Sequence, residues 1–198
     1  MYNALRFPTL PASAASVTVR PIRQGEAPLL RALFDGLSDL SRVRRFHAGV
    51  VSLPAAWIDR LAHPDPRTEA VLLAVAVENG REVAVGEARH AVDADPFGDH
   101  ELAIAVADAW QGRGVGDALM HGLEADARRR GVRRLHGDLL HDNVPMLRLL
   151  RRRGWTVARH PGDPRLARAA FDLAAGAWPL PLAASTRSTP YLQRESTP

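Results

Sequence analysis

The 198-residue sequence contains no cysteine, which excludes disulfides, thiolate metal ligands and a cysteine nucleophile. It also contains no lysine, so all 26 basic Lys/Arg positions are arginine. A Schiff-base lysine and a nucleotide P-loop lysine are thereby excluded, and only the N-terminal amine of the chain could itself be acetylated. Because arginine does not give up its proton, the pI stands near 10.7 although the formal net charge is only +4. An excess of that size spread over a domain serves solubility, and no nucleic-acid partner is expected. Apolar runs long enough to cross a bilayer are lacking, and Asn3, Arg6, Pro8 and Pro11 interrupt any N-terminal signal core. The expectation is a cytoplasmic protein without a membrane partner.

Apolar residues make up 46% and charged residues 24%, the balance of a globular chain with one core. Residues 1–15, rich in Ala, Pro and Ser, are expected to form a flexible arm, and residues 176–198, rich in Pro, Ser and Thr, a flexible tail. The domain between them spans residues 16–175. It opens with a half-buried strand, SVTVRPIR, in which Val17 and Val19 alternate with polar residues. Leu29, Leu30, Leu33, Phe34 and Leu37 then recur at helical spacing, and short helices are expected around residues 40–46 and 54–61. EAVLLAVAVE and REVAVGEARHAV flank Asn79-Gly80, the favoured dipeptide of a two-residue hairpin. HELAIAV makes a third strand after a turn-rich stretch at residues 93–99. Val115, Leu119, Leu123 and Ala127 form the stripe of a helix that ends at Gly131. A short strand at residues 135–140 leads to a second helix, N-capped by Asn143 and closed by Gly154, and two last strands follow near residues 155–158 and 167–173.

Between a strand and an amphipathic helix lies WQGRGVGDALM, with Gly112, Gly114 and Gly116. Glycines there let successive backbone N–H groups converge on one point, and the helix adds its positive dipole end, so the segment suits a phosphate. A P-loop is excluded by the missing lysine. A dinucleotide GxGxxG is excluded by Asp117 at its final position and by the lack of an early parallel βαβ unit. The pattern Q/RxxGxG/A, carried by Gln111, Gly114 and Gly116, remains, beside the plain reading of a glycine-rich strand-to-helix link. His136 and His141 do not have the spacing of two metal ligands on one helix face, and no metal site is expected. The arginine runs 128–130 and 151–153 fill last helical turns, where cations complement the dipole.

With its VTVRPI strand, its hairpin, HELAIAVADAWQGRGVG and GDLLHDNVPMLRLLRRRGW, nearly the whole inferred domain resembles the GNAT superfamily of acyl-CoA-dependent N-acetyltransferases. Around SRVRRF and NVPMLRLLRRRGW it is most similar to the bacterial protein lysine acetyltransferase branch. The resemblance implies an α/β (mixed α+β) GNAT fold, with a splayed, mostly antiparallel sheet of six to seven strands and about four helices.

It also implies acetyl-CoA as cosubstrate and an amine acceptor, a protein lysine or a small amine. Backbone groups of Ile104, Ala105 and Val106 would pair with the pantetheine arm, and the N–H groups of Gln111, Gly112, Arg113, Gly114, Val115, Gly116 and Asp117 would hold the pyrophosphate. Asn143 and Met146 would border the arm, and the N–H near Val106 would stabilise the oxyanion. Glu101 is the implied general base. Many members carry a tyrosine acid seven residues after the asparagine, but that position is Leu150 here. A non-catalytic acyl-CoA-binding module is the alternative reading, and the chain is expected to be a monomer or homodimer.

Overall fold

A computed structural model describes residues 9–10, 16–92 and 99–173. The expected tail and most of the expected arm lie outside them, as do residues 93–98 of the turn-rich stretch. The element order is β1 (Thr9–Leu10), β2 (Val17–Pro21), α1 (Ala27–Asp35), α2 (Asp39–Phe46), α3 (Ala55–Ala62), β3 (Glu69–Glu78), β4 (Arg81–Val92) and β5 (Asp99–Val106). A 3-10 turn at Asp108–Trp110 precedes α4 (Val115–Arg129), β6 (Arg134–Leu140), α5 (Val144–Arg152), β7 (Thr156–Arg159) and β8 (Leu166–Asp172). Beyond the seven strands expected, two residues of the arm pair with β2 as β1. The sheet order is β1-β2-β3-β4-β5-β6-β8-β7, antiparallel throughout except for a short parallel contact between β5 and β6. Among the described residues no helix is long and apolar enough to cross a membrane.

The central strand β3 is apolar almost without interruption because both of its faces are covered. Leu72, Ala74 and Ala76 pack on one side with Leu119, Met120 and Leu123 of α4 and Leu147 and Leu150 of α5. Leu73 and Val75 pack on the other with Leu30 and Phe34 of α1, Phe46 of α2 and Ile58 and Leu61 of α3. Asn79 and Gly80 both have positive φ (50° and 75°), the backbone of a two-residue turn matched to strand twist. Helices on both faces thus sandwich one sheet, and the site forms where that sheet opens.

Arginines at the ends of α4 and α5 take definite partners. Arg129 and Arg130 bind Asp126, and Arg128 lies over the Phe171 ring. Arg153 pairs with Glu124 at 2.8 Å and Asp117 at 2.9 Å, while Trp155 donates its indole N–H to Glu124. This network joins the two helices that flank the glycine loop.

On the α4 side Asp126 accepts from His90 Nε2 (3.2 Å), and His90 Nδ1 meets His100 Nδ1 at 2.8 Å. His100 is pushed down to about 4, first by burial and then by its neighbours His90, Arg130 and His136, against the pull of Asp126. Above pH 6.5 its contribution to stability is complete. As the pH falls from there toward 4, the unfolded chain takes up a proton that the folded chain refuses, so stability declines, and it levels off once the folded histidine is protonated as well. Urea midpoints measured from pH 7.5 to 4 should fall more steeply for the wild type than for His100→Gln. Parallel curves for the two proteins would remove this histidine as the cause.

Candidate active site

β5 and β6 pair in parallel only over Asp99↔Arg134, His100↔Leu135 and Glu101↔His136. Beyond Glu101 they diverge, while β6 remains paired with β8 as far as Leu140↔Leu166. Gly137 sits at the parting point, where a Cβ would lie 3.1 Å from Leu102 Cγ and 3.2 Å from the Leu102 carbonyl oxygen. Along β5 the ladder to β4 continues to Gly86↔Val106, and the Ala107 N–H donates to Val85 O at 2.9 Å. Alternation then directs the N–H and C=O of Ala105 toward Glu87 on β4, and those of Ile104 and Val106 into the gap. Of the three residues expected to offer backbone to an extended ligand, Ile104 and Val106 have groups facing the cleft. The backbone of Ala105 is held in the ladder, and its side chain is buried.

Gly112 (φ 71°) and Gly114 (φ 85°) take the left-handed conformation, and Gly114 starts α4 without a side-chain cap. The first helical bond runs from Ala118 N–H to Gly114 O at 3.0 Å. The N–H groups of Gly114, Val115, Gly116 and Asp117 therefore have no partner within the helix. Gln111 differs from this group: its N–H is bound to Asp108 O at 3.2 Å, so the array that can receive an anion begins at Gly112. Its side-chain amide donates to Val106 O and to Ser41 Oγ, both at 3.1 Å, and so ties the loop to β5 and α2.

These elements enclose a cleft of about 500 Å³, a size suited to a small ligand. Glu101, Ile104, Ala105 and Val106 line one wall, Gln111, Gly112, Gly114, Gly116 and Asp117 the head of α4, and Asn143 and Met146 the far side. Asn143 Oδ1 accepts from Met146 N–H at 3.4 Å, the N-cap anticipated from the sequence. Two expected residues contribute no side chain to the cleft. Val115 is buried in the core at 1% exposure, and the Arg113 guanidinium lies over the Trp110 ring, 5.4 Å from its centroid. Leu150, seven residues after Asn143, borders the cleft but is 2% exposed and packs in the core.

Sequence reasoning missed the wall built by α2 and β4. Arg44 and Arg45 from α2 and Arg89 from β4 line the cleft beside Glu101, and fully buried Glu87 lies between Arg45 and Arg89. The α2 part lies in SRVRRF, a segment that carried the resemblance, while for β4 the signal was the presence of charged residues, Glu87 and Arg89, inside an otherwise apolar strand.

Asp108, in the 3-10 turn, fastens α2 to the loop. Its carboxylate accepts from Ser38 N–H (2.9 Å), the Ser38 hydroxyl (2.7 Å) and the Ser41 hydroxyl (2.8 Å). Partial burial pushes this carboxyl up, but those hydrogen bonds outweigh it and hold the group below the usual aspartate range.

Comparison with known proteins bears on this geometry. The model of the acetyltransferase (GNAT) family matches residues 36–155. An acetyltransferase of Pseudomonas aeruginosa is 30% identical over 147 residues, which cover 74% of this chain and 78% of that protein. The crystal structure of the GNAT domain of S. lividans PAT has 31% identity and a TM-score of 0.71, covering 79% of this chain and 90% of that one. The structure of yncA from Salmonella typhimurium, solved with its cofactor acetyl-CoA, shares the fold, with 22% identity, a TM-score of 0.61 and coverage of 82% and 97%.

Replacing Asp108 by Ala should destabilise the protein by about 1 kcal/mol and speed hydrogen exchange in α2 more than in α4. Because the folded carboxyl is the stronger acid, the tie is complete above the unfolded aspartate range and is lost as pH falls through the lower folded value. Uniform exchange across α2 and α4 in the variant would refute the fastening role.

Proposed function

The chain belongs to the GNAT acetyltransferase family and is an acyl-CoA-dependent transferase, and from that premise we propose that it carries acetyl from acetyl-CoA to a lysine side chain of a protein, with Glu101 as general base. Acetyl-CoA is the cosubstrate, and the acetyl group moves to a primary amine. The observation that carries this reading is the opening between β5 and β6 beside the uncapped head of α4. An extended arm would add to the free edge of β5 through Ile104 and Val106, as a peptide strand adds to a sheet edge. Its pyrophosphate would meet the N–H groups from Gly112 to Asp117 and the positive end of the helix dipole. Met146, half-buried against the core, and Asn143 would flank the arm. The protein lysine acceptor draws its support from the 31% identity with the GNAT domain of S. lividans PAT.

An alkylamine is almost wholly protonated near neutral pH, and only its neutral form attacks a thioester. Glu101, half-buried on the strand where β5 and β6 part, would take the ammonium proton. The amine nitrogen then bonds to the acetyl carbonyl carbon, and the N–H of Val106 would donate to the oxyanion. Collapse breaks the carbon–sulfur bond and releases the thiolate; the bonded nitrogen gives its second surplus proton to solvent as the amide forms, and the thiolate takes one up from solvent. Leu150 offers no proton, and a thiolate leaves readily enough to need none.

Glu101→Gln should lower kcat/KM for the amine by roughly 10²- to 10⁴-fold while leaving acetyl-CoA affinity within about twofold. Unchanged turnover at every pH would eliminate Glu101 as the base. The acceptor is tested by incubating the enzyme and acetyl-CoA with a bacterial proteome and reading new acetyl-lysines by mass spectrometry against an enzyme-free control. A blank spectrum alongside turnover of free amines would exclude protein lysine.

A further inference from the structure

Arg45, Glu87 and Arg89 form a charged cluster on the same face of the sheet as Glu101. The pairs Glu87↔Ala105, Arg89↔Ala103 and Ala91↔Glu101 fix that face, because directly paired residues point the same way. Arg89 has a side chain only 6% exposed; its Nε is bound to Glu87 and its Nη2 donates to Leu61 O at 3.1 Å. Its Nη1 is buried and has no hydrogen-bond partner. Arg45, 9% exposed, reaches the other oxygen of Glu87 at 3.5 Å, and its buried Nε also lacks an acceptor. Phe34 and Phe46 shelter this second guanidinium, with ring centroids 5.9 and 5.0 Å away.

Two nearly buried cations thus share one buried carboxylate and border the cleft, and each keeps one buried donor without an acceptor behind its wall. Burial, and then the charge of Arg89, push Arg45 below the usual arginine range, against the opposing pull of Glu87 and Glu101. A buried donor without an acceptor is costly, and guanidinium N–H groups match a carboxylate in both charge and shape. Glu101 lies two residues along β5 from Ala103, the partner of Arg89, so Glu101 and Arg89 are diagonal neighbours about 7–8 Å apart. A cleft lined by a carboxylate at one point and by incompletely paired guanidinium groups at the next complements a molecule bearing a cationic amine and an anionic group.

We propose that the acceptor carries a carboxylate close to its reacting amine, and that Arg89, backed by Arg45, binds this carboxylate while the amine faces Glu101. The assignment rests on the acetyl-transfer reading above. The carboxylate belongs either to a free amino acid or to an acidic residue beside the target lysine of a protein, and matched acceptors separate the two sources. Thiol release from acetyl-CoA is measured with methionine against methioninamide, and with a lysine hexapeptide bearing Glu against the same peptide bearing Gln beside the lysine. Rates are expressed per neutral amine.

In at least one pair the carboxylate member should show kcat/KM tenfold or more above its partner, mainly through KM, and the pair that shows it identifies the source. Arg89→Lys and Arg45→Gln should each bring that ratio to within about threefold of unity while the acetyl-CoA Kd stays unchanged. If either variant fails to fold, the wild-type ratios and the remaining variant decide. Equal rates within both wild-type pairs, or a preference that survives the substitutions, would overturn the proposal and leave acetyl transfer standing. No thiol release with any amine would overturn both.

Discussion

The pairing of β5 with β6 lasts for three residues and then stops, and the rest of the site depends on that interruption. Had the parallel ladder continued, the N–H and C=O groups of Ile104 and Val106 would have been consumed by β6, and no ligand could have added to the edge. Gly137, lacking a Cβ, lets the strands stay close at Leu102 where the pairing stops, and β6 is held along its whole length by β8 on its other side. Backbone polar groups turned away from a partner strand need an acceptor or donor from elsewhere. The Gln111 amide already supplies one at Val106 O, and the remainder face the cleft.

Polar ties around the opening keep its walls in register. Asp108 joins α2 to the loop, Gln111 joins the loop to β5, and Arg153 with Glu124 joins α4 to α5. Since the protein has no lysine, every cation in these ties is an arginine, whose planar, multidentate head suits partly buried pairing. Burying Arg45, Glu87 and Arg89 together is costly in a structural core and makes sense at a site that handles charge. Glu101 and the guanidiniums beside it line the same cleft as the glycine loop at the head of α4.

Most elements were legible because local signals were strong. Asn79-Gly80 takes the two left-handed conformations that its residue types allow, and Gly114 likewise opens α4. Asn143 caps α5 through its side chain. The run EAVLLAVAVE was legible as a hairpin strand, while its lack of alternation found its reason in the helices that cover both faces. Less could be read from the arginine runs. Helix-end position explained their presence, but Arg153 proved to be an interhelical tie and Arg128 a cation over Phe171, since both partners lie far away in sequence.

By itself, the sequence determined the order of strands and helices, the glycine-rich head of α4 and the exclusion of nucleotide loops, because periodicity, turn chemistry and the absence of lysine are local or compositional properties. Tertiary structure alone decided which carbonyl and amide groups of β5 face the opening, that the Gln111 N–H is already taken, and that Arg113 turns to Trp110. It alone brought Arg45, Glu87 and Arg89 together beside Glu101. The physical reason is that strand register and the packing of α2 over the sheet join residues more than forty positions apart, and neither spacing nor composition carries that information.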